Sequence, residues 1–141
     1  MSNPAPSNRH SVLIIQNVNK MKDFLFVFRS ETSPRTNASP EQLQANMKLW
    51  MDWIGGIAAQ NKFVSGTGLP FDQARVVTTK NGQPVVTNGP FGDIKETIGG
   101  MIVVKADSVE EAVEFAKGCP VLQGEGNSLE VRKIAKNDGV H

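Results

Sequence analysis

Residues 23–29 read Asp-Phe-Leu-Phe-Val-Phe-Arg (DFLFVFR). The density of aromatic and β-branched side chains predicts a strand. A period of two puts Phe24, Phe26 and Phe28 on one face, and Leu25 and Val27 on the other. Both faces are apolar, so both need cover. A second stretch of the same character is residues 100–106 (GMIVVKA). Two strands that are apolar on both faces belong in the middle of a sheet, not at its rim.

The flanking sequence supplies what would pack on that sheet. Residues 30–37 (SETSPRTN) read as a loop. Ser39-Pro40-Glu41-Gln42 then announces a helix, with Ser39 as cap, Pro40 at the first helical position and Gln42 closing a capping box. Leu43, Met47, Trp50, Ile54 and Ile57 follow at spacings of 4, 3, 4 and 3, one apolar stripe. Gly55-Gly56 costs about 1 kcal/mol per residue against alanine. The pair either ends the helix or admits another backbone.

Further on, residues 62–68 (KFVSGTG) predict a short strand leading into a glycine-rich turn. Residues 74–79 and 84–87 predict a hairpin about Asn81-Gly82. Residues 88–91 (NGPF) form a second turn, and residues 93–97 (DIKET) a short helical turn or loop. Ser108 opens the second helix, with Glu111 at the capping-box position. Val109, Ala112, Val113 and Ala116 give its buried side, and Gly118 and Pro120 stop it. Residues 128–134 (SLEVRKI) are the last strand, with Leu129, Val131 and Lys133 on one face and Glu130, Arg132 and Ile134 on the other.

The order strand, helix, strand, hairpin, strand, helix, strand is an α+β, ferredoxin-like βαββαβ pattern with a hairpin insertion. Both helices cover one sheet face. The other face, apolar in the central strands, calls for a second copy in a twofold dimer. The alternative cover is the hairpin folded back.

Composition narrows the chemistry. The 141 residues carry 15 basic and 14 acidic side chains, a net charge of +1, which argues against nucleic acid as a partner. There is one Cys, no Tyr, and two His, His10 and His141, at the chain ends. A serine triad, a His-rich metal site and a structural disulfide are therefore not expected. No complete phosphate-binding motif occurs, and no cofactor or metal is expected. The longest apolar run near the start, Val12 to Ile15, spans four residues, against the roughly 18 needed to cross a membrane. A soluble, cytoplasmic chain is expected. Residues 1–20 read as an extension whose residues 12–18 could pair with a sheet edge, residues 21–135 as the domain, and residues 136–141 as a polar tail.

Several blocks carry a family resemblance: MKDFLFVFR, SPEQLQANMKLWMDWIGGI, FVSGTGL, VVTNGPFGDIKETIGGMIVVKADSVEEAVEFAKGCPV and LEVRKI. Together, over roughly residues 21–135, they resemble the YCII-related family in its DGPF-motif branch. The resemblance implies a dimeric α+β barrel built from ferredoxin-like protomers, with a cleft near the dimer interface. Two departures stand out. The motif's usual Asp is Asn88 here, and the His that relatives carry on the first helix is absent. A His–Asp mechanism is not supported, because an amide does not shuttle protons as a carboxylate does.

The candidate site residues follow. Asn88, Gly89, Pro90 and Phe91 shape a pocket, or form a tight turn with Phe91 anchored in the core. Asp93, Lys95 and Glu96 are the candidates for proton transfer, against a reading as solvated charges. Trp53 lines a cleft or the dimer seam, or joins Trp50 in the core. Gly66 and Gly68 offer backbone amides to a small molecule, or simply make a bend. Gly99-Gly100 admits the first helix or a ligand. Arg29 and Arg132 meet an acidic ligand group, or form a salt bridge at a strand end. Cys119, at a helix C-terminus, reads as a buried structural thiol. Two functions fit: a cofactor-independent enzyme acting on a small organic molecule, or a non-catalytic dimeric module that binds a small ligand or a protein.

Overall fold

The structure, a computed structural model, describes residues 21–31, 39–70, 72–87 and 96–135. In chain order the elements are β1 (Lys22–Glu31), α1 (Pro40–Ala58), β2 (Phe63–Gly68), β3 (Val76–Lys80), β4 (Gln83–Thr87), β5 (Glu96–Ala106), α2 (Val109–Ala116), a 3-10 turn (Pro120–Gln123) and β6 (Ser128–Lys133). Strands β2, β5, β1 and β6 form one antiparallel sheet in that order. With the β3–β4 hairpin set aside as its own two-stranded sheet, this is the ferredoxin-like order.

The two apolar stretches are the two central strands, as expected. Phe24, Phe26 and Phe28 of β1 oppose Val104, Ile102 and Gly100 of β5, and Lys133, Val131 and Leu129 of β6. This face holds the core. Phe24, Phe26, Phe28, Ile102 and Val104 are buried together with Ile57 of α1, Ala112 and Ala116 of α2, and Cys119. Four aromatic rings extend it. Phe26 stacks on Trp53 at 6.2 Å, while Phe28 meets Trp50 edge-on at 4.9 Å and Trp53 at 6.0 Å. The two indoles lie 5.8 Å apart. Such pairs add about 0.5–1.5 kcal/mol each beyond the area they bury.

Helix starts follow the sequence closely. The Gln42 N–H donates to Ser39 Oγ at 3.1 Å and the Ser39 N–H to Gln42 Oε1 at 2.9 Å, a complete capping box. At α2 the box is rearranged. Ser108 Oγ accepts from the Glu111 N–H, but the Glu111 carboxylate reaches one residue further, to the Asp107 N–H at 2.7 Å. Its other oxygen accepts from Lys62 Nζ at 2.6 Å. That pair ties α2 to the start of β2.

Three expectations are corrected. On α2, Ala112 and Ala116 are buried, but Val109 and Val113, expected on its buried side, are exposed. Residues 96 and 97 are not part of a helical turn; β5 begins at Glu96, three residues before Gly99-Gly100. Helix α1 also runs through Gly55-Gly56 to Ala58. The apolar stripe of α1 is only partly used. Trp50, Ile54 and Ile57 pack inward, whereas Leu43 and Met47, in the first turns, are 55% and 65% exposed.

The opposite sheet face carries Leu25 and Val27 of β1 beside Val103 and Met101 of β5. Val27 is buried, and the other three are half-buried. Neither helix lies on this face. Charges ring it in pairs, with Lys105 Nζ 3.0 Å from Asp23 and Arg29 3.0 Å from Glu130. Among the described residues no helix is long and apolar enough to cross a membrane.

Candidate functional site

Between α1 and the β2–β5 side of the sheet lies a cleft of about 540 Å³. Trp50 and Ile54 line it from α1, Phe63 and Gly66 to Gly68 from β2, Gly99 and Ile102 from β5, and Phe28 from β1. The size falls within the range of small-molecule sites.

Two sheet irregularities make room for it. On β2, Phe63 opposes Val104 but Ser65 opposes Val103, so Val64 is an extra residue. This bulge keeps both Phe63 and Gly66 on the helix face, which strict alternation would forbid. On β5, Phe28 opposes Gly100 while Arg29 opposes Ile98, which leaves Gly99 as the extra residue. Bulges of this kind recur beside binding sites because they re-aim side chains.

Glycine then clears the wall. Gly66 and Gly68 oppose Ile102 and Gly100. A side chain at Gly66 would press on Ile102 Cγ2 at 3.0 Å, and one at Gly100 on the Thr67 carbonyl oxygen at 2.9 Å. At Gly68 it would meet nothing within 4 Å. The cleft wall at Gly68 is therefore bare backbone facing open space. Across from it stands Trp50, held by its edge-on contact with Phe28. None of the described lining residues is ionisable, so these residues offer apolar contact and backbone dipoles, not charge.

The expected site residues that the structure describes fall in four places. Gly66 and Gly68 line the cleft. Trp53 does not line it; it sits one helical turn on, packed against Phe26 and Phe28, with its Nε1–H donating to the Phe115 carbonyl at 2.8 Å. Trp50 holds the cleft position instead. Arg29 and Arg132 both reach Glu130, at 3.0 and 3.4 Å. Glu130 opposes Val27 and Arg132 opposes Leu25, so this cluster lies on the sheet face away from the cleft. The Arg29 hydrogen bond, helped by the charges of both arginines, holds the Glu130 carboxyl below its ordinary range despite some desolvation. Glu96 opens β5, with its backbone paired to Glu31. Asn88, Gly89, Pro90, Phe91, Asp93 and Lys95 lie outside the described residues.

Phe28, Ile54, Phe63 and Thr67 were not singled out from sequence as cleft residues. The usable signal was Gly66-x-Gly68 set against Gly99-Gly100, two glycine pairs on strands that turn out to be neighbours. Cys119 is buried, and burial pushes its thiol up to about 11, against a weaker opposing effect of the Val121 N–H.

The model of the YCII-related domain matches residues 24–136, and the chain belongs to that family. It is also 29% identical over 85 residues to a protein of Rhizobium meliloti described only as uncharacterised, across 55% of this chain and 68% of that protein.

Proposed function

We propose that this YCII-related domain binds a small organic molecule in the cleft between α1 and β2–β5, within a homodimer. The observation that carries the reading is the cleft itself: about 540 Å³ of apolar space kept open by Gly66, Gly68 and two bulges in an otherwise packed sheet. A fold under no demand for a site would fill such space with side chains, because voids cost stability.

The dimer follows from the face with Leu25, Val27, Met101 and Val103. An apolar centre ringed by charges already paired within the chain is the anatomy of a protein interface. A second copy offers the same surface across a twofold axis and completes the α+β barrel. The NGPF sequence at residues 88–91 places the chain, on our reading, nearest the DGPF-motif branch. On the catalytic alternative, the polar group for chemistry would be Asp93, Lys95 or Glu96, which precede Gly99 in the sequence. The non-catalytic reading is favoured by Asn88 and by the absence of ionisable groups among the described lining residues.

A thermal-shift screen of small organic molecules tests the reading, because a ligand bound only by the native state raises apparent stability. Hits are expected, and their loss on Ile54→Arg would locate them in the cleft. A broad library without hits would contradict the proposal. A hit whose binding survives Ile54→Arg but falls with Lys95→Ala and Glu96→Gln would move the site out of the cleft.

A further inference from the structure

We infer that the cleft takes a flat, uncharged aromatic molecule, seated between the Trp50 indole and the bare backbone at Gly68. This deepens the proposed function and rests on the cleft being the binding site.

Shape argues for flatness. One wall includes strand backbone bared at Gly68, and glycine in a strand interior marks close approach of a ligand or another chain. At Gly68 that approach is unobstructed, with nothing within 4 Å of the direction a side chain would take. Three of the other lining residues, Trp50, Phe28 and Phe63, are aromatic. Trp50 and Phe28 already fix each other at 4.9 Å and 80°, so the indole is pre-set rather than free to swing. A slab-shaped guest fills such a slot, whereas a puckered one meets backbone on one side and rings on the other.

Chemistry argues for an aromatic over a saturated guest. Aromatic pairs gain about 0.5–1.5 kcal/mol beyond the area buried, and three rings bound this space. It also argues against charge. An ion taken into an apolar cleft loses hydration that only a partner charge restores, and the described lining residues include none. Lys62, which precedes Phe63 in the chain, is already paired with Glu111 at 2.6 Å.

A matched trio of probes tests this by calorimetry: 1-naphthol, its saturated counterpart decahydro-1-naphthol, and its charged counterpart 1-naphthoate. The inference expects 1-naphthol to bind about ten-fold tighter than either of the others. It also expects that affinity to fall at least ten-fold in Gly68→Leu, whose side chain enters the open space. Gly68→Ala, which adds one methyl where there is room, is expected to fold and to weaken binding less, so the test stands even if Gly68→Leu folds poorly. Equal or tighter binding of decahydro-1-naphthol, or of 1-naphthoate, with the same dependence on Gly68 would overturn the ligand class and leave the cleft as the site. Binding of 1-naphthol that ignores both Gly68 substitutions, or no binding of any probe, would overturn the inference. The library screen described above would then judge the cleft separately.

Discussion

Gly100 and Thr67 sit so close across the β5–β2 ladder that a methyl carbon on Gly100 would stand 2.9 Å from the Thr67 carbonyl oxygen. Backbone cannot yield there without breaking the pairing that positions Gly66 and Gly68. Gly68, directly opposite Gly100 in register, has open space instead. Gly100→Ala is therefore expected to destabilise the fold by about 1–3 kcal/mol, as overpacked sites do. Gly68→Ala should change stability by less than about 0.5 kcal/mol. Urea denaturation of the two variants checks the contrast, and equal effects would contradict the register drawn here.

The Lys62–Glu111 pair should matter to stability in proportion to its burial. Side-chain exposure is 13% for Lys62 and 29% for Glu111, and Lys62 Nζ also lies 5.6 Å from the Phe115 ring centre. Lys62→Met leaves a half-buried carboxylate without its main partner, at an expected cost of about 1–3 kcal/mol.

The same carboxylate predicts a pH dependence. Burial alone pushes Glu111 up, but the Lys62 hydrogen bond, the Asp107 N–H and the lysine charge together outweigh it. The net direction is below the ordinary value of 4.5. A depressed carboxyl stabilises the fold above 4.5, and that contribution is lost as pH falls through the depressed value. The midpoint of unfolding should fall on acidification below about pH 4.5, and Glu111→Gln should flatten that fall. An unchanged acid limb in the variant would remove Glu111 as its source.

Cys119 should be unreactive in the folded chain. It is 3% exposed and its thiol is raised to about 11, so almost none is thiolate at neutral pH. Iodoacetamide should label it only after denaturation. Labelling of native protein at the rate of a free thiol would show that the turn at Pro120–Gln123 opens readily.

The twofold dimer predicts a two-chain mass by light scattering at micromolar concentration. Met101→Glu, on the face with Leu25 and Val103, should shift the protein to one chain. A wild-type monomer would remove the sheet-to-sheet assembly from the account.

Most of the architecture was legible because it rests on local signals. DFLFVFR and GMIVVKA are apolar on both faces, and Ser39-Pro40-Glu41-Gln42 states its cap outright. The cleft was half legible. Glycines at 66 and 68 were visible as a bend, and those at 99 and 100 as a place of close approach, yet nothing local says that the two pairs become neighbours. Strand β5 starts at Glu96, not at Gly100 where the sequence suggests it, because a bulge at Gly99 lets the ladder continue past the glycines. Trp50 and Trp53 are three residues apart on one helix, and which of them faces the cleft depends on how α1 crosses the sheet. Periodicity does not carry that angle. Nor does it show that Leu43 and Met47, which continue the stripe, stand exposed among the described residues.

The two tryptophans provide the most direct test of the cleft as a binding site. The chain contains only these two, so its 1H–15N spectrum holds two indole N–H signals. Trp53 donates to the Phe115 carbonyl at 2.8 Å inside the core, and Trp50 lines the cleft. Titration with a ligand from the screen should move the Trp50 indole signal progressively to saturation and leave that of Trp53 nearly still. A ligand that raises thermal stability while shifting Trp53 alone, or neither signal, would contradict binding in the cleft.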